Sequence, residues 1–152
     1  MTTTDVDLVL DFLNTVDVGK GTDVLADEVA WPAWLAAHDL TAATGVLAAR
    51  VALRSAVGDS PPAPSDLSTQ VTVSLSADGP HLVAGDVVGA VLAAATRLVV
   101  RGEWDRIKIC PAADCRWAFY DRSRNHSRTW CSMRVCGNRE KARAWRERAR
   151  AE

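Results

Sequence analysis

The sequence predicts an α+β protein: a mostly helical N-terminal unit with one β-hairpin, residues 1–102, followed by a small metal-held module, residues 103–152. Three observations carry this. Apolar residues recur at helical spacing over residues 46–57 and 87–101 and alternate with polar ones over residues 70–84. All four cysteines fall in the last third, as two C-x4-C pairs, Cys110 with Cys115 and Cys131 with Cys136, with fifteen residues between the pairs. A net charge of −1 conceals opposed halves: 4 Lys+Arg against 12 Asp+Glu in residues 1–100, and 14 against 7 in residues 101–152.

In chain order, Val6, Leu8, Leu10 and Phe12 alternate with acidic residues, which favours a short strand, although Val9 and Leu13 also allow a helix onset. Asn14, Thr15 and Asp17 break it. Asp23 opens a short helix that ends near Trp31, because the residue before proline is pushed from the α region, and Pro32 starts the next helix at a favourable first position. Thr41 or Thr44 opens a further helix whose apolar face is Val46, Leu47, Val51, Leu53 and Val57. Residues 58–65, GDSPPAPS, are a stiff connector. Gln70–Leu75 and His81–Ala84 form a half-buried hairpin across Ala77–Pro80. Asp86 caps a helix over Val87–Arg101, with Val88, Val91, Leu92, Ala95, Leu98 and Val99 inward and Gly102 ending it.

Ile107 and Ile109 lead as a strand into the first cysteine pair, and Trp117–Tyr120 returns beside it. Four soft ligands on two short loops suit a tetrahedral Zn²⁺, held by Cys110, Cys115, Cys131 and Cys136. Two disulfides are the competing reading, and they belong to secreted chains. Asp5, Asp7 and Asp11 interrupt the apolar start, so no export signal is expected and the chain is expected in the cytoplasm. No run of 18 apolar residues exists, so no membrane partner is expected.

The run CRWAFYDRSRNHSRTWCSMRVCGNREKARAW resembles the CGNR zinc-finger family through its Trp-Cys-Ser-Met element, Trp130–Met133, and its Cys-Gly-Asn-Arg signature, Cys136–Arg139. Leu8–Thr15, LVLDFLNT, resembles the start of the ABATE domain that precedes such fingers. The resemblance implies a treble-clef-like finger and a stress-induced transcription regulator. Cys131 and Cys136 lie about 140° apart on an ideal helix, so a bend is required between them; Gly137 suits it, and Asn138 suits the cap of a final helix.

On that final helix Arg139, Arg143, Arg146 and Arg150 fall within about 60° of one another, with Trp145 on an adjacent stripe expected to dock on the finger. A second basic tract, with Arg122, Arg124 and Arg128, lies between the cysteine pairs. Together they suggest one polyanion-binding surface, for nucleic acid and DNA first. A solvated helix laced by Glu/Arg pairs is the plainer reading. Arg50 and Arg54 likewise have two readings: a solvated helix face, or a polar pocket beside Asn14 and the acidic residues of the first segment, for an acidic ligand or for carboxylates of the same domain. His38, His81 and His126 receive no metal role, since four cysteines complete a site.

No nucleophile and base constellation, phosphate loop or open zinc position is evident, so no enzyme is expected. Two functions stand. One is a zinc-binding regulator whose finger contacts DNA while the N-terminal unit senses a small ligand or partner. The other is an interaction module whose basic finger binds acidic protein surface, including that of a second copy in a homo-oligomer.

Overall fold

The computed structural model describes residues 4–64 and 66–151. Helix α1 spans Asp5–Leu13, so the first apolar segment is a helix and not a strand. A capping box decides this: the Thr4 hydroxyl accepts from the Asp7 amide (3.1 Å) and the Asp7 carboxylate takes the Thr4 amide in return. Val9, Phe12 and Leu13 then share one face at helical spacing, and all three are fully buried.

A two-residue pairing of β1 (Val16–Asp17) with β2 (Thr22–Asp23) follows, then a 3₁₀ turn, Val24–Ala26, and α2, Ala30–Ala37. Pro32 thus stands third in α2, not first; its missing N–H is still one of the donors without an intrahelical partner. Asp27 accepts from Val29 and Ala30 and fixes this start two residues earlier than expected. His38 ends α2, stacked on Trp34 at 3.9 Å and hydrogen-bonded to the Trp34 carbonyl (2.8 Å).

Helix α3, Val46–Ala56, begins after Gly45, whose φ of 75° is the left-handed conformation glycine tolerates, and not at Thr41 or Thr44. Its buried face is also not the expected one. Leu47 and Val51 are exposed, while Ala49, Ala52, Leu53, Arg50 and Arg54 are buried. The solvated-face reading of the arginines is therefore wrong. Burial is possible because each guanidinium meets a carboxylate that sequence periodicity does not reveal.

Strands β3 (Thr72–Ser76) and β4 (Gly79–Val83) make the expected hairpin, in the register Val73↔Leu82 and Leu75↔Pro80. It is exposed, not half-buried: Val73 is 69% and Leu75 82% accessible. Alternation distinguishes two faces of a ribbon, but only a covering element buries one of them. Helix α4, Val87–Val100, starts at the Asp86 cap (2.9 Å to the Gly89 amide) and ends before Gly102, at φ 69°. Val88, Val91, Ala95 and Leu98 point inward as expected, whereas Val99 is exposed.

A 3₁₀ turn, Trp104–Arg106, leads to β5, Ile107–Ile109, which pairs antiparallel with β6, Ala118–Tyr120. Ile107, Ile109 and Ala118 belong to the same apolar core as Val9, Phe12, Val91 and Leu98. The ribbon that carries the first cysteine pair is thereby set against α1. A π-helical turn, Met133–Gly137, then runs straight into α5, Asn138–Ala151.

Candidate metal centre

The first cysteine loop is a turn closed on Ala112, whose carbonyl accepts from the amides of Cys115 (2.9 Å) and Arg116 (3.1 Å). Ribbon pairing fixes the other end, through Cys110 N–H to the Trp117 carbonyl (2.9 Å). Cys131 precedes the π turn and Cys136 lies within it, which solves the mismatch of a five-residue spacing on a regular helix. Gly137 serves here by close packing and not by a left-handed bend: a Cβ would sit 2.3 Å from Met133 Sδ, the movable end of an exposed side chain, and 3.1 Å from Trp130 Cδ1. Capping falls to Ser132, whose hydroxyl accepts from Val135 (3.3 Å), while Asn138 is already helical and donates back to the Arg134 carbonyl.

The four Sγ atoms lie within 4.8 Å of one another, with Cys115 to Cys131 at 3.5 Å and Cys131 to Cys136 at 3.6 Å. Four sulfurs about 2.3 Å from a tetrahedral Zn²⁺ are about 3.8 Å apart, so the donor set fits Zn²⁺. Disulfide sulfurs lie about 2.0 Å apart, and all four cysteines are free thiols here. Burial pushes the Cys131 and Cys136 thiols above their ordinary range, and neighbouring sulfurs push Cys131 further. Thiolates crowded this closely call for a cation, which is what a structural zinc supplies on binding.

Two arginines support the cysteine loops. Arg139 donates to Asp114 Oδ1 (2.9 Å) in the first loop and reaches Cys136 Sγ at 3.5 Å in the second. Arg128 donates to the Trp130 carbonyl (2.9 Å) and to the Cys131 carbonyl, and its guanidinium stands 5.0 Å over the Phe119 ring. Below the basic loop is Asp121, fully buried. Its carboxylate accepts from Lys108 (2.6 Å) and from the amides of Ser123 and Arg128. Burial opposes its charge, but these donors overcome it and hold the carboxyl well below the usual range. Sequence reasoning did not single out Asp121; the Asp-x-Ser spacing, typical of a side chain closing its own turn, is the signal that could have found it.

The remaining nominated residues divide. Arg143 pairs with Glu140 (3.0 Å) and approaches Asp114 at 4.0 Å. Arg122, Arg124, Arg146 and Arg150 are exposed, Arg122 lying 5.5 Å from the Tyr120 ring centre. Trp145, expected against the finger, is 65% accessible, and no residue of α5 is buried among those described.

In the N-terminal unit Arg50 makes a bidentate pair with Asp23 (2.7 and 2.6 Å) and reaches Thr15 at 3.1 Å. Arg54 spends its donors on Asp59 (2.7 Å), the Leu13 carbonyl (2.8 Å) and the Arg116 carbonyl (2.6 Å). Arg116 closes the chain of contacts on the other Asp59 oxygen. Both helix arginines line a cleft of about 500 Å³, together with Arg116 and Asp59. Asn14 does not line it, being committed to Ala118. Sequence reasoning missed Asp23, Asp59 and Arg116.

No curated protein matches the chain. Residues 106–149, which take in β5, β6, both cysteine pairs and most of α5, match the family model of the CGNR zinc finger.

Proposed function

We propose that this chain is a non-enzymatic, zinc-binding transcription regulator whose α5 contacts nucleic acid, duplex DNA first, and whose N-terminal unit, of ABATE type, senses a ligand. The exposure of α5 carries the reading. A 14-residue helix, about 21 Å long, holds six basic and two acidic residues with none buried, so, Arg139 apart, its basic residues are displayed rather than used to hold the fold together. Zinc contributes by fixing the turn from which α5 departs. Arg139 and Arg128 brace that turn, while Arg143, Arg146, Arg150, Arg122 and Arg124 supply the positive field.

Binding to the acidic half of a second copy is less well supported. Asp5, Asp23 and Asp59, which contribute to that acidity, are already paired with the chain's own arginines. The test is fluorescence anisotropy of a labelled 20-base-pair duplex with the zinc-loaded full chain, alongside labelled polyglutamate. Saturable duplex binding that chelation abolishes is expected. Binding of polyglutamate with none of duplex would replace the regulator by an interaction module.

A further inference from the structure

The cleft of about 500 Å³ lies between α3 and the first cysteine loop, a size usual for small-ligand sites. Val16, Val18, Val51, Pro61 and Pro62 give it apolar walls, and Val18 and Val51 are each 42% accessible, open to an occupant. Its polar end carries three guanidinium groups: Arg50, also paired to Asp23, with Arg54 and Arg116, which share Asp59, the single carboxylate in the lining. Burial, and then the charge of Arg50, lower Arg54 from its ordinary value, so an anion placed beside its guanidinium is favoured.

Asp59 belongs to the connector after α3 and places one oxygen on Arg54 Nε and the other on Arg116. A carboxylate therefore already occupies the bridging position between the helix and the cysteine loop. We propose that the cleft binds a small amphipathic carboxylate whose anionic end takes the place of Asp59 between Arg54 and Arg116, with its apolar body along Val16, Val18 and Val51. This deepens the sensing half of the function proposed above and rests on it. The ligand would join α3 to the loop carrying Cys110 and Cys115, so occupancy at the cleft acts on the base of the finger.

Octanoate serves as the probe for the zinc-loaded full chain, with octanamide and inorganic phosphate as controls, read by calorimetry and by melting temperature. Saturable octanoate binding is expected, with neither control binding comparably. Asp59→Asn removes the internal competitor, so octanoate should bind about tenfold more tightly or better and should restore stability lost by the variant. Val51→Glu, on an exposed wall, should abolish binding while the protein stays folded.

Equal binding of octanamide and octanoate, or weaker octanoate binding by a folded Asp59→Asn protein, overturns the proposal. Should Asp59→Asn fail to fold, Arg116→Gln takes its place, and unchanged octanoate affinity there is equally fatal. The sensing reading has its own readout, the duplex affinity with and without octanoate. Octanoate bound as described with duplex affinity unmoved leaves the cleft assignment standing and removes the sensing role.

Discussion

Asn14 and Ala118, 104 residues apart, exchange two hydrogen bonds: the Asn14 amide donates to the Ala118 carbonyl (3.0 Å) and its oxygen accepts from the Ala118 amide (2.8 Å). The asparagine at the end of α1 thus pairs with β6 as a neighbouring strand would. Since Ala118 is buried, no water is at hand to replace the lost partner. Asn14→Ala should destabilise the protein by about 1–3 kcal/mol, the cost of orphaned buried groups, without releasing zinc. Urea denaturation with a parallel metal assay checks this, and a change below about 0.5 kcal/mol, the range of ordinary surface substitutions, would contradict it.

Metal removal should affect more than the finger. Ile107, Ile109 and Ala118 are shared with the main core, and β5 and β6 flank the first cysteine pair. A chelator is therefore expected to lower the melting temperature of the N-terminal helices as well as to unfold α5, and Cys136→Ser should do the same. Elemental analysis should find one zinc per chain. An unchanged N-terminal melting transition after complete chelation would show that the two regions are energetically separate.

Arg54→Met should cost about 1–3 kcal/mol, the penalty for leaving buried acceptors without a donor. It leaves the carbonyls of Leu13 and Arg116 without their donor and Asp59 with Arg116 as its remaining guanidinium partner. Leu47→Ala on the same helix removes a larger apolar side chain but an exposed one, and should change stability little. Chemical denaturation of the two variants side by side tests the orientation of α3.

Acid should weaken the fold through its paired carboxylates. Hydrogen bonds from Arg50 lower Asp23 below its ordinary 3.8 despite burial; at Asp5, burial works the other way but Arg97 and Arg101 prevail. A carboxylate lowered in the folded state contributes stability that is complete above its unfolded value and is lost as pH falls through the folded one. The loss should therefore begin near pH 5 and continue below 3.8. Asp5→Asn should flatten part of that decline in denaturation free energy measured from pH 6 to pH 3, and an unaltered profile would contradict the assignment.

What was legible in the sequence follows from how locally each feature is determined. The cysteine pairs, Asp86 at the start of α4 and the hairpin turn are set by neighbours within a few residues, and all appear, the turn shortened to residues 77–78 because Gly79 and Pro80 already pair in β4. For Arg50 and Arg54 a pairing with carboxylates of the same unit was one legible alternative, but which ones was not, because the proximity of Asp23, Asp59 and Arg116 is created only by the folded chain. Asn14 was singled out for a ligand, yet its partner is the backbone of β6. Trp145 shows the opposite error: an apolar stripe on a helix implied a surface to bury it, and none of the described residues provides one.

The salt dependence of duplex binding tests the central claim most directly. Each phosphate neutralised releases counterions, so a surface using about four arginines should give a slope of log K against log salt of about −3 to −4. Arg143→Gln, Arg146→Gln and Arg150→Gln spare Arg139, which braces Asp114 and Cys136, so zinc should stay bound. Each substitution should make the slope shallower by about one unit. Wild type and the triple variant binding duplex equally weakly at low salt, both with full zinc content, would contradict the account.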